Sequence, residues 1–180
     1  MADGKPARRR GDRIAALSAA RLHAVQALYQ MAVAGGEPLA VVGEFIAHRI
    51  GEGGRATDEG DGPLAPADAA HFRRVVEGVT QGREALDAAI GGALDPSWPI
   101  GRLETVLLCV LRCGAFELAA LTGVPTGAII DEYVEVAKAF YGGREPGFVN
   151  GVLDKLARTL RLPSGAVAVE EAADGGVAGR

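Results

Sequence analysis

Two cysteines, one tryptophan and three histidines are all that 180 residues supply of the side chains that most often build disulfides, metal centres or stacked cofactor pockets. Cys109 and Cys113 stand four apart inside an apolar run, share a face if that run is helical, and read as small buried thiols. Zinc needs about four ligands, and no His or further Cys lies near enough in sequence to complete such a set. Without a disulfide framework the composition fits a reducing, cytoplasmic setting. His23, His48 and His71 fall on three separate predicted helices, none spaced with a carboxylate as a metal pair, and read as surface or boundary residues. Aromatics make up only 5% of the chain, so the core has to be built from Ala, Val, Leu and Ile. Long hydrophobic runs are missing too. The stretch 14–20, which follows Arg8-Arg9-Arg10, is seven residues long and stops at Arg21, too short and too polar for an export or membrane-spanning segment. No phosphate-binding loop is present, because the glycine-rich GGREPG at 142–147 lacks the Lys-Ser/Thr that would follow it. Asp131, Glu132 and Glu135 read as a solvated helix face rather than acid–base machinery. The chain reads as no enzyme, and no cofactor or metal is expected.

What is present is helical periodicity on a chain long enough for one domain with a substantial core. A helix is predicted over 13–34, where Ile14, Leu17, Leu22, Val25, Leu28, Tyr29 and Ala32 make the inner stripe and Gly35-Gly36 ends it. Pro38 suits the first turn of a second helix, 38–50, with Leu39, Val42, Phe45, Ile46 and Ile50 inward. The segment 51–66, with five glycines, two prolines and four acids, reads as a solvated loop. A third helix is predicted over 67–94, with Asp68 as its cap and Phe72, Val75, Val76, Val79, Leu86, Ile90 and Leu94 on one face. Asp95-Pro96-Ser97-Trp98-Pro99 breaks the chain, with Trp98 expected as a lid on the core. The most apolar segment, 102–121, is the expected central helix. Two more follow, over 126–141 with Phe140 inward, and from Phe148 to about 160, where Phe148, Val152, Leu156 and Leu160 recur at intervals of four. No strand alternation competes, so an all-α domain is expected over 13–162, between a flexible basic arm, 1–12, and a disordered tail, 163–180.

Charge is unevenly spread. Lys5, Arg8, Arg9, Arg10, Arg13 and Arg21 against Asp3 and Asp12 give the first 23 residues +4, and the remainder −8. A basic arm on an acidic body suits a polyanionic partner for the arm alone. Its guanidinium groups match phosphate oxygens; a merely solvated terminus is the competing reading.

Taken together, four segments resemble the NusB family of bacterial transcription antitermination factors, with details of an alphaproteobacterial type. AVQALYQ, from Ala24 to Gln30, is similar to the family's first-helix signature, and LRCGAFEL, from Leu111 to Leu118, to its LRxAxYEL segment. VPTGAIIDEYVEVAKAF, from Val124 to Phe140, resembles VPxxVAINEAVELAKxF, and FVNGVLDKLAR, from Phe148 to Arg158, matches the closing helix almost letter for letter. The resemblance implies two three-helix halves packed across each other. It also implies binding of boxA RNA from ribosomal RNA leaders jointly with the ribosomal protein NusE, within an antitermination complex on RNA polymerase. Lys5, Arg8, Arg9, Arg10, Arg13 and Arg21 then become candidate RNA contacts, with Phe148 as an aromatic near RNA or else a core anchor. Tyr29, Leu107 and Leu108 become candidate partner contacts, with core roles competing for Tyr29 and Leu108. One departure stands out: Leu17-Ser18-Ala19-Ala20 separates the arginine cluster from the AVQALYQ signature it usually abuts. A helical adaptor or homodimer without RNA contact, and the accessory module of a ribosomal RNA methyltransferase, are the rival readings. The chain is too short to add a methyl-donor domain.

Overall fold

The periodic segments become helices in the computed structural model, which describes residues 10–50 and 66–161. The arm residues 1–9, most of the 51–66 loop and the tail, with the expectations placed on them, lie outside the described residues. Seven α-helices are described: α1 (Arg10–Ala34), α2 (Pro38–Phe45), α3 (Ala69–Gln81), α4 (Arg83–Ala93), α5 (Thr105–Ala120), α6 (Thr126–Lys138) and α7 (Glu145–Leu160). A π-helical turn, Ile46–Ile50, extends α2, and a 3-10 turn, Ile100–Arg102, leads into α5. Among the described residues there is no strand.

α1 to α3 form one half and α5 to α7 the other, packed across each other mainly through α1 and α5, while α4 leads from the first half onto α5 and α7. α5 is the innermost helix. Ten of its sixteen residues are buried, on every side, which is what an apolar run without a polar face requires. Two glycines let its neighbours approach. A Cβ on Gly114 would stand 2.8 Å from Leu153 of α7, and one on Gly78 of α3 only 2.1 Å from the Phe116 ring.

Several expectations are corrected. The predicted helix 67–94 is two helices, because Gly82 sits at φ −93°, ψ 10°, off helical geometry, while Asp68 does cap α3 by accepting from the His71 amide at 2.9 Å. α7 begins at Glu145 rather than Phe148, since Pro146 fits a first helical turn that needs no amide donor there. α1 begins at Arg10 and stops where Gly35, at φ +75°, caps it by donating its backbone N–H to the Met31 carbonyl. Its buried face is Ala16, Ala20, Ala24, Val25, Ala27 and Leu28, whereas Ile14 and Tyr29 of the predicted stripe are exposed. Alanines carry little hydropathy contrast but allow close packing, so hydropathy places the stripe one flank away from the true packing face. Leu39, Phe140 and Trp98 are likewise exposed. Phe140 lies past the end of α6, where Phe140 N donates to Ala137 O and the chain tightens away from the core. Trp98 is no lid: Asp95 accepts from the Ser97 amide and hydroxyl, Trp98 N closes the turn on Asp95 O at 2.8 Å, and the indole is left 50% exposed.

Packing at the α5–α7 seam sets the expected stability changes. Leu153→Ala should cost about 2–5 kcal/mol in urea unfolding, since the side chain is fully buried against Gly114. Gly91→Ala on α4, where an added Cβ meets nothing within 4 Å, should be neutral or stabilise by up to about 1 kcal/mol in the same measurement.

Candidate nucleic-acid and partner interface

The polar centre of the molecule is a carboxylate. Glu117 falls on the apolar helix α5 and is completely buried, so its charge has to be met by donors from neighbouring helices. Arg21 of α1 donates Nε to both oxygens at 3.0 and 3.1 Å and Nη2 to Oε2 at 2.9 Å. His71 Nε2 of α3 lies 2.8 Å from Oε1, and the Tyr133 hydroxyl of α6 donates to the same oxygen at 2.8 Å. Arg21 Nη1 reaches on to Glu132 at 3.0 Å, and Ser18 of α1 donates to that carboxylate at 2.6 Å. Burial would raise the Glu117 pKa, but the His71 and Arg21 hydrogen bonds with the Arg21 charge outweigh it and hold it below the ordinary value. Burial pushes Tyr133 far up, so it stays a neutral donor.

This network changes the standing of Arg21. As a candidate RNA contact it should be accessible; it is buried, and its guanidinium is committed to Glu117 and Glu132. Arg13 is exposed at the end of the first turn of α1, and Arg10 opens the helix. Lys5, Arg8 and Arg9 lie outside the described residues. From Arg10 to Arg21 the helix runs about 16 Å, so any charge at its start stands well clear of the network. Phe148 is half-buried on the first turn of α7, packed on the core with part of its ring outward.

Tyr29, the candidate partner contact, is 40% exposed and lines a shallow groove with Gln26, Val33, Arg49, Val106 and Phe140. Val33 at 63% and Phe140 at 37% exposure make it an apolar patch that none of the described residues covers. Leu107 is buried and Leu108 half-buried against the core, so α5 presents Val106 to the groove in their place.

Three polar anchors escaped the sequence reading. Arg112 of α5 grips Asp87 of α4 with two bonds, at 2.7 and 2.8 Å. Arg161, just past α7, donates to the carbonyls of Leu118, Leu121 and Val124 and so caps α5 and the turn into α6. Glu117 itself had one visible signal, the lone carboxylate within the apolar stretch 105–120, which demands a cation from elsewhere in the chain. Cys109 and Cys113 are buried, with burial raising the Cys109 thiol to about 11 and Cys113 well above its usual range. Among the described residues no group of three or more His, Cys, Asp and Glu is placed to hold a metal ion, and no helix is long and apolar enough to cross a membrane.

Comparison with known proteins gives a consistent set. A family model described as the NusB family matches residues 18–158. The transcription antitermination protein NusB of Sinorhizobium fredii (strain NBRC 101917 / NGR234) is 46% identical over 144 residues, 79% of this chain and 86% of that protein. Among solved structures, T. maritima NusB superposes with a TM-score of 0.62 at 27% identity, over 78% of this chain and 89% of that one. A structure of the antitermination factors NusB and NusE in complex with double-stranded RNA gives a TM-score of 0.61 over 79% of this chain and 96% of that one. At 23% identity it speaks for the fold alone.

Glu117 also sets the acid stability. Its pKa is depressed from 4.5 in the folded state, so its contribution is complete above that value and is lost as pH falls through the lower, folded one. Glu117→Gln leaves the buried Arg21 charge without its main partner and should cost about 3–5 kcal/mol at neutral pH. Urea titrations from neutral into acid should show that this variant lacks the Glu117 share of the acid loss.

Proposed function

The chain belongs to the NusB family, and on that premise we propose that it is a transcription antitermination factor, a binding protein rather than a catalyst. With NusE it takes up boxA RNA of ribosomal RNA operon leaders and keeps RNA polymerase processive. The observation that carries this reading is the family match across 18–158 together with a 46% identical relative named for that function.

The chemistry divides between two surfaces. Lys5, Arg8, Arg9, Arg10 and Arg13 supply phosphate affinity from the N-terminal arm and the start of α1, while specificity comes from unstacked bases read on the joint surface with NusE, Phe148 among the readers. Arg21 acts indirectly, by holding α1 against α5 and α6. Tyr29, Val33, Val106 and Phe140 form the apolar patch that suits NusE, whose binding adds area to a surface that α1 and α6 leave open. Leu107 and Leu108 pack on the core and leave Val106 as the α5 residue of this patch.

Two measurements test this reading. Arg8, Arg9 and Arg10 changed together to Ala should keep the helical circular dichroism while weakening boxA binding, and the slope of log affinity against log salt should fall by about 0.7 for each phosphate no longer neutralised. Affinity that is unchanged across the salt titration would remove the arm from the binding surface. Adding NusE should tighten boxA binding, and Tyr29→Ala should abolish most of that gain with little change in RNA binding by the chain alone. NusE capture without any RNA binding would favour the adaptor reading.

A further inference from the structure

The indole of Trp98, the chain's sole tryptophan, is half out of the protein on a turn that holds it there. Asp95 and Ser97 hydrogen-bond to each other, Pro96 and Pro99 flank the turn, and Trp98 N is bonded to Asp95 O. The backbone that carries the ring is therefore held, and in a chain with 5% aromatics a large ring has been left out of the core. The turn does not stand alone. Lys155 of α7 donates to the carbonyl of Ala93, the last residue of α4, at 3.3 Å, so its ammonium is held beside the start of the Asp95–Trp98 turn. Arg102 is exposed on the 3-10 turn that follows.

α7 carries the line further. At about 100° per residue, Arg144, Phe148 and Lys155 fall within about 60° of one another on one flank of the helix, beside the buried face of Val149, Val152, Leu153 and Leu156. Between them Gly151 has no side chain, and a Cβ there would meet nothing within 4 Å, which leaves this flank open. Phe148 and Lys155 are two turns, about 10 Å, apart along the axis. The charges are also available. Neighbouring Arg158, Lys138 and Arg83 are each paired with a carboxylate on their own helix. Among the described residues Arg102, Arg144 and Lys155 make no ion pair. Asp95, in the same turn, keeps its negative charge, favoured by the Ser97 hydrogen bonds and by the Lys155 charge.

We infer that single-stranded RNA runs along this flank of α7, past Arg144, Phe148 and Lys155, and that Trp98 is a second stacking platform for an unpaired base. Cations that follow the backbone, interleaved with aromatic faces that take bases, are the arrangement by which single strands are bound. Lys155, held at the Ala93 carbonyl before the turn, and Arg102, exposed on the 3-10 turn after it, take the adjoining phosphates. The inference rests on the RNA-binding reading above and extends its surface along α7 to the Asp95–Trp98 turn.

Indole emission of the full chain, titrated with single-stranded boxA RNA in the presence and absence of NusE, tests it, with Trp98→Phe measured alongside to subtract any emission of NusE. A scrambled strand and boxA annealed to its complement are the comparison RNAs. The expected result is a saturable change in Trp98 emission that follows the RNA-binding curve. Trp98→Ala should weaken binding by roughly tenfold or more, with Trp98→Phe in between. Lys155→Gln should lower the salt slope by about 0.7. RNA that binds the wild type while the emission stays flat, and binds Trp98→Ala equally well, overturns the inference and leaves the proposed function standing. Wild type that binds no boxA with or without NusE overturns the proposed function, and the inference with it. A Trp98→Ala variant that loses NusE but keeps RNA makes the indole a protein anchor and also overturns it. Should Trp98→Ala fail to fold, the emission of the wild type still decides.

Discussion

A buried, ionised carboxylate is the constraint around which the other helices are arranged. Taking the charge of Glu117 out of water costs several kcal/mol, and only close, well-aligned donors offset that cost. The donors come from three different helices, Arg21 on α1, His71 on α3 and Tyr133 on α6, and all meet a residue of α5. A hydrophobic contact tolerates a helix sliding by an ångström or so; this cluster does not, because each shift would strand a buried polar group. The two halves are thus tied at the centre by a cluster of directional bonds and around it mainly by apolar packing. Arg112 on Asp87 and Arg161 on the carbonyls at the end of α5 repeat the device at the periphery of the same helix.

That central tie also explains how the surfaces are distributed. With Arg21 turned inward, α1 is locked about its axis, and the residues on its outer flank are determined: Arg13 upstream of the network, Tyr29 and Val33 downstream. An exposed arginine and an apolar patch therefore sit toward opposite ends of one helix. α7 is fixed separately, by Leu153 against Gly114 and by Arg161 beyond its end, and it presents Phe148 and Lys155 on a rigid flank rather than on a loop.

Much of the fold was legible in the chain because helices bury stripes, and stripes have a period. Phe72, Val75, Val76 and Val79 on α3, or Val152, Leu153 and Leu156 on α7, are buried as their spacing predicts. Legibility failed where contrast was missing. The contact face of α1 is largely alanine, so hydropathy does not reveal its phase, and it assigns Tyr29 and Ile14 to a stripe they do not belong to. It failed again where local backbone geometry overrode a continuous pattern, at Gly82, which divides one predicted helix into two, and at Pro146, which starts α7 a turn early.

Of the site, the sequence showed residue types but not their neighbours. Arg21 and Glu117 are 96 residues apart, and neither position says that the other exists. The aromatic residues behaved in the opposite sense, since Trp98, Tyr29 and Phe140 carry no local mark of exposure and are turned outward by the chain geometry around them. Short-range spacing was enough for the all-α class, the central place of α5, the cap at Asp68 and the family signatures, because each depends on residues a few positions apart. Which charges are spent inside and which aromatics are left facing solvent was settled only by packing, because burial depends on segments distant in the chain that meet once the helices have come together.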